Sequence, residues 1–280
     1  MAEQTSGDAR SAQIARELRN EIEAGQLRPG DKMPTTRKLA DQWGVGLGTV
    51  NKAMDQLLSE GLIVSRARSG RVVAEPSELP LGKSTPARPR AVFIGGYAGS
   101  GKTETGRIMA RETGWAMLDK DTITRSVVDA ALVQFGSTIS DRESTTYLNV
   151  VRPAEYQCLE AAVLENLGCG VSVVATAPYL REITDLAWLE RTAGALAKLG
   201  ADMSVIWIRC SAESMRSYIE RRGAARDTWK LENWAEYSAG LDLEFTPPWP
   251  HTVIQNNPDD EPVQSQVKTF LRALDSSSTP

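Results

Sequence analysis

Histidine and cysteine are scarce in this chain of 280 residues, which has one histidine, His251, and three cysteines, Cys158, Cys169 and Cys210. The cysteines are odd in number and no two have C-x-x-C spacing, so they read as reduced core or surface thiols. A zinc centre lacks ligands for the same reason. No apolar run approaches the ~18–20 residues that cross a bilayer. The opening stretch, MAEQTSGDARSAQ, has no apolar signal core, so the expectation is a cytoplasmic protein without a membrane segment. An overall basic charge is also missing: the net charge of −4 argues against indiscriminate binding to nucleic acid. What remains is ordinary for globular protein, with 41% hydrophobic and 24% charged residues, and the length suits two domains.

The first specific feature is Gly96-Tyr97-Ala98-Gly99-Ser100-Gly101-Lys102-Thr103, a complete G-x-x-x-x-G-K-T phosphate-binding loop. Ala91–Gly95 before it reads as a buried strand, and Glu104–Glu112 after it as a helix, which is the context the pattern needs. Gly96, Gly99 and Gly101, with Ser100, let backbone N–H groups turn toward phosphates, and the helix N-terminus adds positive potential. Lys102 would reach the β/γ-phosphates, and the Thr103 hydroxyl would complete a Mg²⁺ shell. A nucleoside triphosphate, ATP or another, with Mg²⁺ is therefore the expected cofactor.

Ahead of the loop, residues 77–90 (SELPLGKSTPARPR) are proline-rich and read as a linker, which divides the chain into residues 1–76, the linker, residues 91–275 and a frayed tail, 276–280. In the first part, Ile14, Leu18 and Ile22 mark one face of a helix over 11–24. A second helix follows Met33-Pro34-Thr35, with Thr35 as N-cap. A third runs from about Gly48 to Glu60 with Val50, Ala53, Met54 and Leu57 inward, and Gly61 ends it. Leu62–Val64 and Arg71–Val73 then read as a hairpin carrying Arg66 and Arg68. Between Arg28 and Arg71 there are eight basic residues and four acidic ones, a positive patch inside an acidic protein. Three helices and a basic hairpin form a winged helix-turn-helix plan.

After the loop, helices alternate with apolar strands, expected at Trp115–Leu118, Val171–Ala175, Met203–Ile208 and Thr252–Gln255. The helices between them are Val151–Leu167, Leu186–Leu199 and Glu213–Arg222. The expected fold class is an α/β P-loop NTPase with a kinase-like parallel sheet and a small N-terminal winged helix-turn-helix domain. Two clusters look chemical. Asp119-Lys120-Asp121-Thr122 ends the second strand, where Asp121 would take a proton from an acceptor hydroxyl or hold a metal-bound water, or else cap the helix Thr122–Leu132. Arg216, Arg221, Arg222 and Arg226 crowd one segment; Arg222 and Arg226, four apart, would fold over a triphosphate or simply form a solvated helix face. Arg152, Glu155 and Tyr156 would shape an acceptor pocket or lie on an ordinary helix surface.

Residues 11–75 resemble the GntR family, through "IARELRNEIEAGQLRPGDKMPTTRKLADQWGV" and "TVNKAMDQLLSEGLIVSRARSGRVV". The resemblance implies a homodimer on a palindromic duplex-DNA operator, with the third helix in the major groove and the wing beside it. Arg37 would contact phosphate or base, Thr49, Asn51 and Lys52 would lie on the recognition helix, and Arg66, Arg68 and Gly70 would form the wing. The family's usual Ser-Arg at the start of that helix is replaced by Gly46-Leu47. Residues 91–275 resemble P-loop kinases of the small-molecule and zeta-toxin type, through the phosphate loop, "LDKDT" and "RRGAARDTWKLENWAEY". That likeness implies Asp121 as acceptor-activating base, Lys102 and Thr103 serving ATP·Mg²⁺, and Arg222 with Arg226 as lid arginines acting on a small-molecule acceptor. The third strand, in "VSVVATAPYL", lacks the acidic residue that many P-loop enzymes place there. The expectation is a cytoplasmic regulator, held at the nucleoid when on DNA, whose operator binding responds to a nucleotide. The alternative is a phosphotransferase with a DNA-binding head.

Overall fold

The computed structural model describes residues 2–24, 26–27, 29–66, 70–74, 88–224 and 227–276, with side chains from residue 8 onward. The predicted positions Arg68 and Arg226 therefore lie outside the described residues. Two compact units are formed, one from Met1–Gly82 with Pro258–Pro280, the other from Lys83–Asn257.

In the first unit, α1 (Ala2–Glu23), α2 (Thr36–Trp43) and α3 (Leu47–Ser59) enclose a core of Ile14, Leu18, Leu39, Val50, Met54 and Leu57. Thr35 caps α2 by accepting from the Lys38 N–H, and Gly44 closes it in the left-handed conformation. The four inward positions expected on α3 are its four buried residues. Strands β1 (Ile63–Arg66) and β2 (Gly70–Val73) pair antiparallel, with Ile63 opposite Val73. A last helix, α11 (Val263–Ser276), buries Val263, Val267 and Phe270 and packs beside α1. The buried guanidinium of Arg16 on α1 donates to the carbonyls of Asp260 and Glu261 just before that helix. This satisfies polar groups that would otherwise be lost from water.

The second unit holds one five-stranded parallel sheet in the order β4-β5-β3-β6-β7, from Ala116–Asp119, Val173–Thr176, Arg90–Gly95, Asp202–Arg209 and His251–Gln255. The five expected strands are present, displaced by no more than two residues at either end. β3 is buried along its whole length, which explains its unbroken apolar run. Helices α4 (Lys102–Thr113), α5 (Lys120–Gln134), α6 (Arg152–Gly168), α7 (Leu186–Lys198) and α8 (Ala212–Arg222) follow the strands, with short α9 (Thr228–Glu232) and α10 (Trp234–Ala239) before β7. One turn of π-helix, Tyr147–Val151, leads into α6. Glu155, Leu159, Val163 and Leu167 are buried along α6, and Ala162 beside them is half-buried. The strand order reverses at β3, flanked by β5 and β6, so the crevice at the C-terminal sheet edge opens where the phosphate loop follows β3.

Candidate nucleotide site and DNA-reading surface

The loop after β3 has the backbone its glycines permit. Gly99 and Gly101 have φ of 78° and 98°, inside the region that side chains avoid. A Cβ on Gly99 would stand 2.6 Å from the Met215 carbonyl oxygen and 2.8 Å from Ile219 Cγ1, so α8 is packed directly against the loop. On the other side, Asn256, 2% exposed just past β7, donates its amide to the Ser100 carbonyl at 2.9 Å and fills the space a side chain at Gly101 would need. The Asn256 backbone is fixed in turn, its N–H donating to Arg209 and its carbonyl accepting from the Tyr218 hydroxyl at 3.3 Å. The Ser100 hydroxyl is 1% exposed and has no hydrogen-bond partner. A glycine cradle with an unsatisfied buried hydroxyl at the start of a helix suits a phosphate group.

Lys102 and Thr103 open α4. The Lys102 ammonium donates to the Tyr97 carbonyl at 2.7 Å, folding over the loop. The Thr103 hydroxyl donates to Asp119 Oδ2 at 2.9 Å, and Thr176, at the end of β5, donates to the same oxygen at 2.7 Å. Asp119 Oδ1 accepts from the Thr122 N–H and hydroxyl at 2.9 and 3.0 Å. Asp119 is thus the N-cap of α5, which begins at Lys120. This corrects the alternative of Asp121 as cap: the helix starts two residues earlier than the sequence pattern suggested, because the carboxylate at the strand end reaches the Thr122 N–H. The end of β5, which has no acidic residue of its own, is brought to the Asp119 carboxylate by the Thr176 hydrogen bond. Thr103 and Asp119 offer adjacent hard oxygens suited to Mg²⁺, which needs one or two protein ligands besides phosphate and water. No group of three or more His, Cys, Asp or Glu suited to a metal exists among the described residues.

Asp121, with its side chain 31% exposed, receives Lys120 Nζ at 3.0 Å. Lys120 is buried and also meets Glu155 Oε1 at 2.5 Å, while Glu155 accepts from Thr124 at 3.0 Å and from the Tyr147 hydroxyl at 2.8 Å. Burial first, then the Glu155 charge, raises the Tyr147 pKa, so this phenol stays a donor. Glu155 is therefore a buried hub rather than a pocket wall. Arg152 pairs in fork geometry with Glu182 at 2.8 and 2.9 Å and stacks 4.3 Å from the Tyr156 ring centre. Although burial opposes its charge, the Glu182 hydrogen bond raises the Arg152 pKa.

Lys102, Thr103, Asp119, Asp121, Arg152 and Arg181 line one cleft of about 500 Å³. Its roof comes from the segment after α8. There Arg222 donates to Asp227 at 2.5 and 3.0 Å, so this cation is tethered beside the cleft. Lys230, 5.8 Å from the Tyr237 ring centre, lines the same roof, and burial lowers its pKa. Tyr237, pushed up to about 12 chiefly by burial, reaches the Ala98 backbone, and the Tyr97 hydroxyl accepts from the Asp242 N–H at 3.0 Å. The roof is thereby latched to the phosphate loop. Arg216 instead pairs with Glu220 along the surface of α8 at 2.9 Å.

In the first unit, Arg37 and Lys38 on α2 and Asn51 and Lys52 on α3 are exposed, and Thr49 is half-buried. Lys52 meets Asp8 at 2.5 Å, and Arg71 donates to Asn51 at 3.4 Å and to Asp55 at 3.3 Å. Arg66 ends β1 and Gly70 begins β2 with φ 75°. Among the described residues, Arg37, Asn51, Lys52 and Arg66 are thus exposed side chains of the helices and wing.

The family description "Bacterial regulatory proteins, gntR family" matches residues 10–73, and "AAA domain" matches residues 92–243, more than half of the chain. The chain belongs to the AAA-domain family and carries a gntR-family regulatory domain before it. A shikimate kinase of Moorella thermoacetica is 32% identical to this AAA-domain protein over 124 residues, 41% of this chain and 67% of that one. The mannosyl-D-glycerate transport/metabolism repressor MngR of Escherichia coli is 40% identical over 63 residues. That match takes in 22% of this chain and spans about a quarter (26%) of the repressor. Among solved structures, the APS kinase of Mycobacterium tuberculosis in complex with AMPPNP and APS aligns with 68% of this chain and 99% of its own, at 19% identity and TM-score 0.45. The AraR DNA-binding domain in complex with operator aligns with 23% of this chain and 78% of its own, at 37% identity and TM-score 0.23. The chain thus joins a domain of the gntR regulatory family to an AAA domain with a P-loop kinase-like fold. Two residues of the site escaped the sequence reading, Asn256 and Lys230, and Asp119 was placed in the chemical cluster without a role of its own. For Asp119 the signal was there, two positions before Asp121 at a strand end; Asn256 was visible only as a polar pair after the last strand.

Proposed function

We propose that this AAA-domain protein is a transcriptional regulator whose P-loop domain binds ATP or another nucleoside triphosphate with Mg²⁺ as effector and so changes the affinity of its winged helix for an operator. The reading includes a homodimer on a palindromic site in the cytoplasm. Lys102 and the loop amides would hold the phosphates, Thr103 and Asp119 the metal, and Arg222 and Arg226, with Lys230, the outer phosphate charge. The metal when bound neutralises phosphate charge; the protein's own part is to orient the phosphates and exclude water beneath the roof.

One observation carries the effector role. Asn256 braces Ser100 in the phosphate loop, and only four and five residues later Asp260 and Glu261 accept hydrogen bonds from Arg16 on α1 of the regulatory domain. A change in the loop on nucleotide binding therefore has a short stretch of chain, residues 256–261, through which to act. It shifts operator affinity only to the extent that nucleotide prefers one arrangement of that stretch. The test is operator affinity with and without ATP·Mg²⁺: Lys102→Ala keeps basal DNA binding and loses the response, and an unchanged wild-type affinity would refute the role.

A second reading, phosphotransfer to a small-molecule acceptor, draws on Asp121, which lines the same cleft as Lys102 with an oxygen steadied by Lys120. Radiolabelled ATP with a panel of hydroxyl-bearing metabolites separates the two. Transfer lost in Asp121→Asn supports the kinase, and nucleotide binding without turnover supports the sensor.

A further inference from the structure

Leu47 is the first residue of α3 and is 54% exposed, although it stands at the start of the helix that a helix-turn-helix lays in the major groove. It takes no part in the core that Val50, Ala53, Met54 and Leu57 form from the opposite face of the same helix. Its neighbours Gly46 and Gly48 have no side chains, and a Cβ on either would meet nothing within 4 Å. Leu47 is therefore an isolated apolar post on a bare helix end. One and two turns further along the same face, Asn51 and Asp55 are both engaged by Arg71 of the wing. Asn51 thus has its carbonyl oxygen turned to Arg71, and only its amide N–H groups remain for a base. On α2 alongside, Arg37 and Lys38 are exposed with no acidic partner among the described residues, which gives this face the charge to sit against phosphates.

A side chain without polar atoms in the major groove has one base feature to bind, the C5 methyl of thymine. We propose that Leu47 is a specificity-determining residue that packs on the methyl groups of one or two thymines in each half-site, so that the operator carries A·T pairs beneath the start of α3. The glycines on either side let the helix end approach the base edges closely. The proposal rests on the DNA-binding reading and adds to it the chemistry of the base read.

The experiment uses the full-length protein. Sites are selected from a random duplex library, and each thymine of the selected site is then replaced by deoxyuridine, which removes only the methyl. Affinities are measured by fluorescence anisotropy at one fixed salt concentration. At one or two positions per half-site the replacement weakens the wild type about four-fold each, the worth of one buried methyl. Leu47→Ala binds the thymine site about as weakly as wild type binds the uracil site and is indifferent to the swap. Leu47→Arg selects guanine at the same positions. A selected site with no uracil-sensitive position, or with equal sensitivity in Leu47→Ala, overturns the assignment of Leu47 and leaves the DNA-binding reading standing. Failure to retain any duplex overturns both.

Discussion

Replacing Asn256 with alanine tests both the architecture of the phosphate loop and its link to DNA binding. Asn256 is 2% exposed and is the donor to the Ser100 carbonyl at 2.9 Å. Its removal leaves a buried carbonyl without that partner and a gap beside Gly101. An unsatisfied buried group costs roughly 1–3 kcal/mol. If the loop must hold this geometry to accept phosphates, the cost appears in binding as a weakening of about 5- to 150-fold. Titration calorimetry with a non-hydrolysable ATP analogue and Mg²⁺ measures it directly. Asn256→Asp separates donor from volume: it fills the same space but sets a carboxylate against the carbonyl, and should bind no better than alanine. The operator response to nucleotide should shrink with either variant, while operator affinity without nucleotide stays near wild type. Unchanged nucleotide affinity in Asn256→Ala would refute the brace, and unchanged coupling with weakened nucleotide binding would refute the path through residues 256–261.

Asp119→Asn should weaken nucleotide binding in Mg²⁺ and leave binding in EDTA nearly unchanged, since the carboxylate beside Thr103 is assigned to the metal; equal losses in both buffers would count against that role. Glu155→Ala strands the buried Lys120 ammonium and should destabilise the second unit by roughly 3–5 kcal/mol in urea unfolding, the usual result of halving a buried ion pair. A loss below about 1 kcal/mol would mean that Lys120 finds Asp121 a sufficient partner. Asp141 is held at about 2 from the usual 3.8: burial pushes it up, but hydrogen bonds from Ser137, Ser144 and the Ser144 and Glu143 backbone outweigh that. Its folded pKa is depressed, so its stabilisation is present above 3.8 and is lost as pH falls toward 2. The stability gap between wild type and Asp141→Asn should close across that window, as read by urea titrations at stepped pH.

Much of the fold was legible because its signals are local. The apolar run of β3, the glycines of the phosphate loop and the inward positions of α3 each follow from spacing and residue type within a few residues. Asp121 and Lys102 were legible as members of one crevice because strand ends in a parallel sheet converge there. Asp119 was seen in the same cluster but not its role beside Thr103, since its partners Thr103 and Thr176 come from other elements and the edge of β4 lies one residue later than its pattern indicated. Glu155 was seen as pocket or surface, and it is neither, because Lys120 and Tyr147 meet it from α5 and the π-helical turn.

Residue order alone specifies a gntR-type helix-turn-helix ahead of a P-loop domain, with the glycine-rich phosphate loop directly after β3. Those properties are written in hydrophobic period and in glycines that no other residue can replace. The brace of Asn256 on the phosphate loop, 155 residues beyond Gly101, and the grouping of α11 with α1 rather than with the sheet emerge from packing in three dimensions. Such contacts depend on which surfaces remain to be buried once each element has formed, and no short window of residues specifies that.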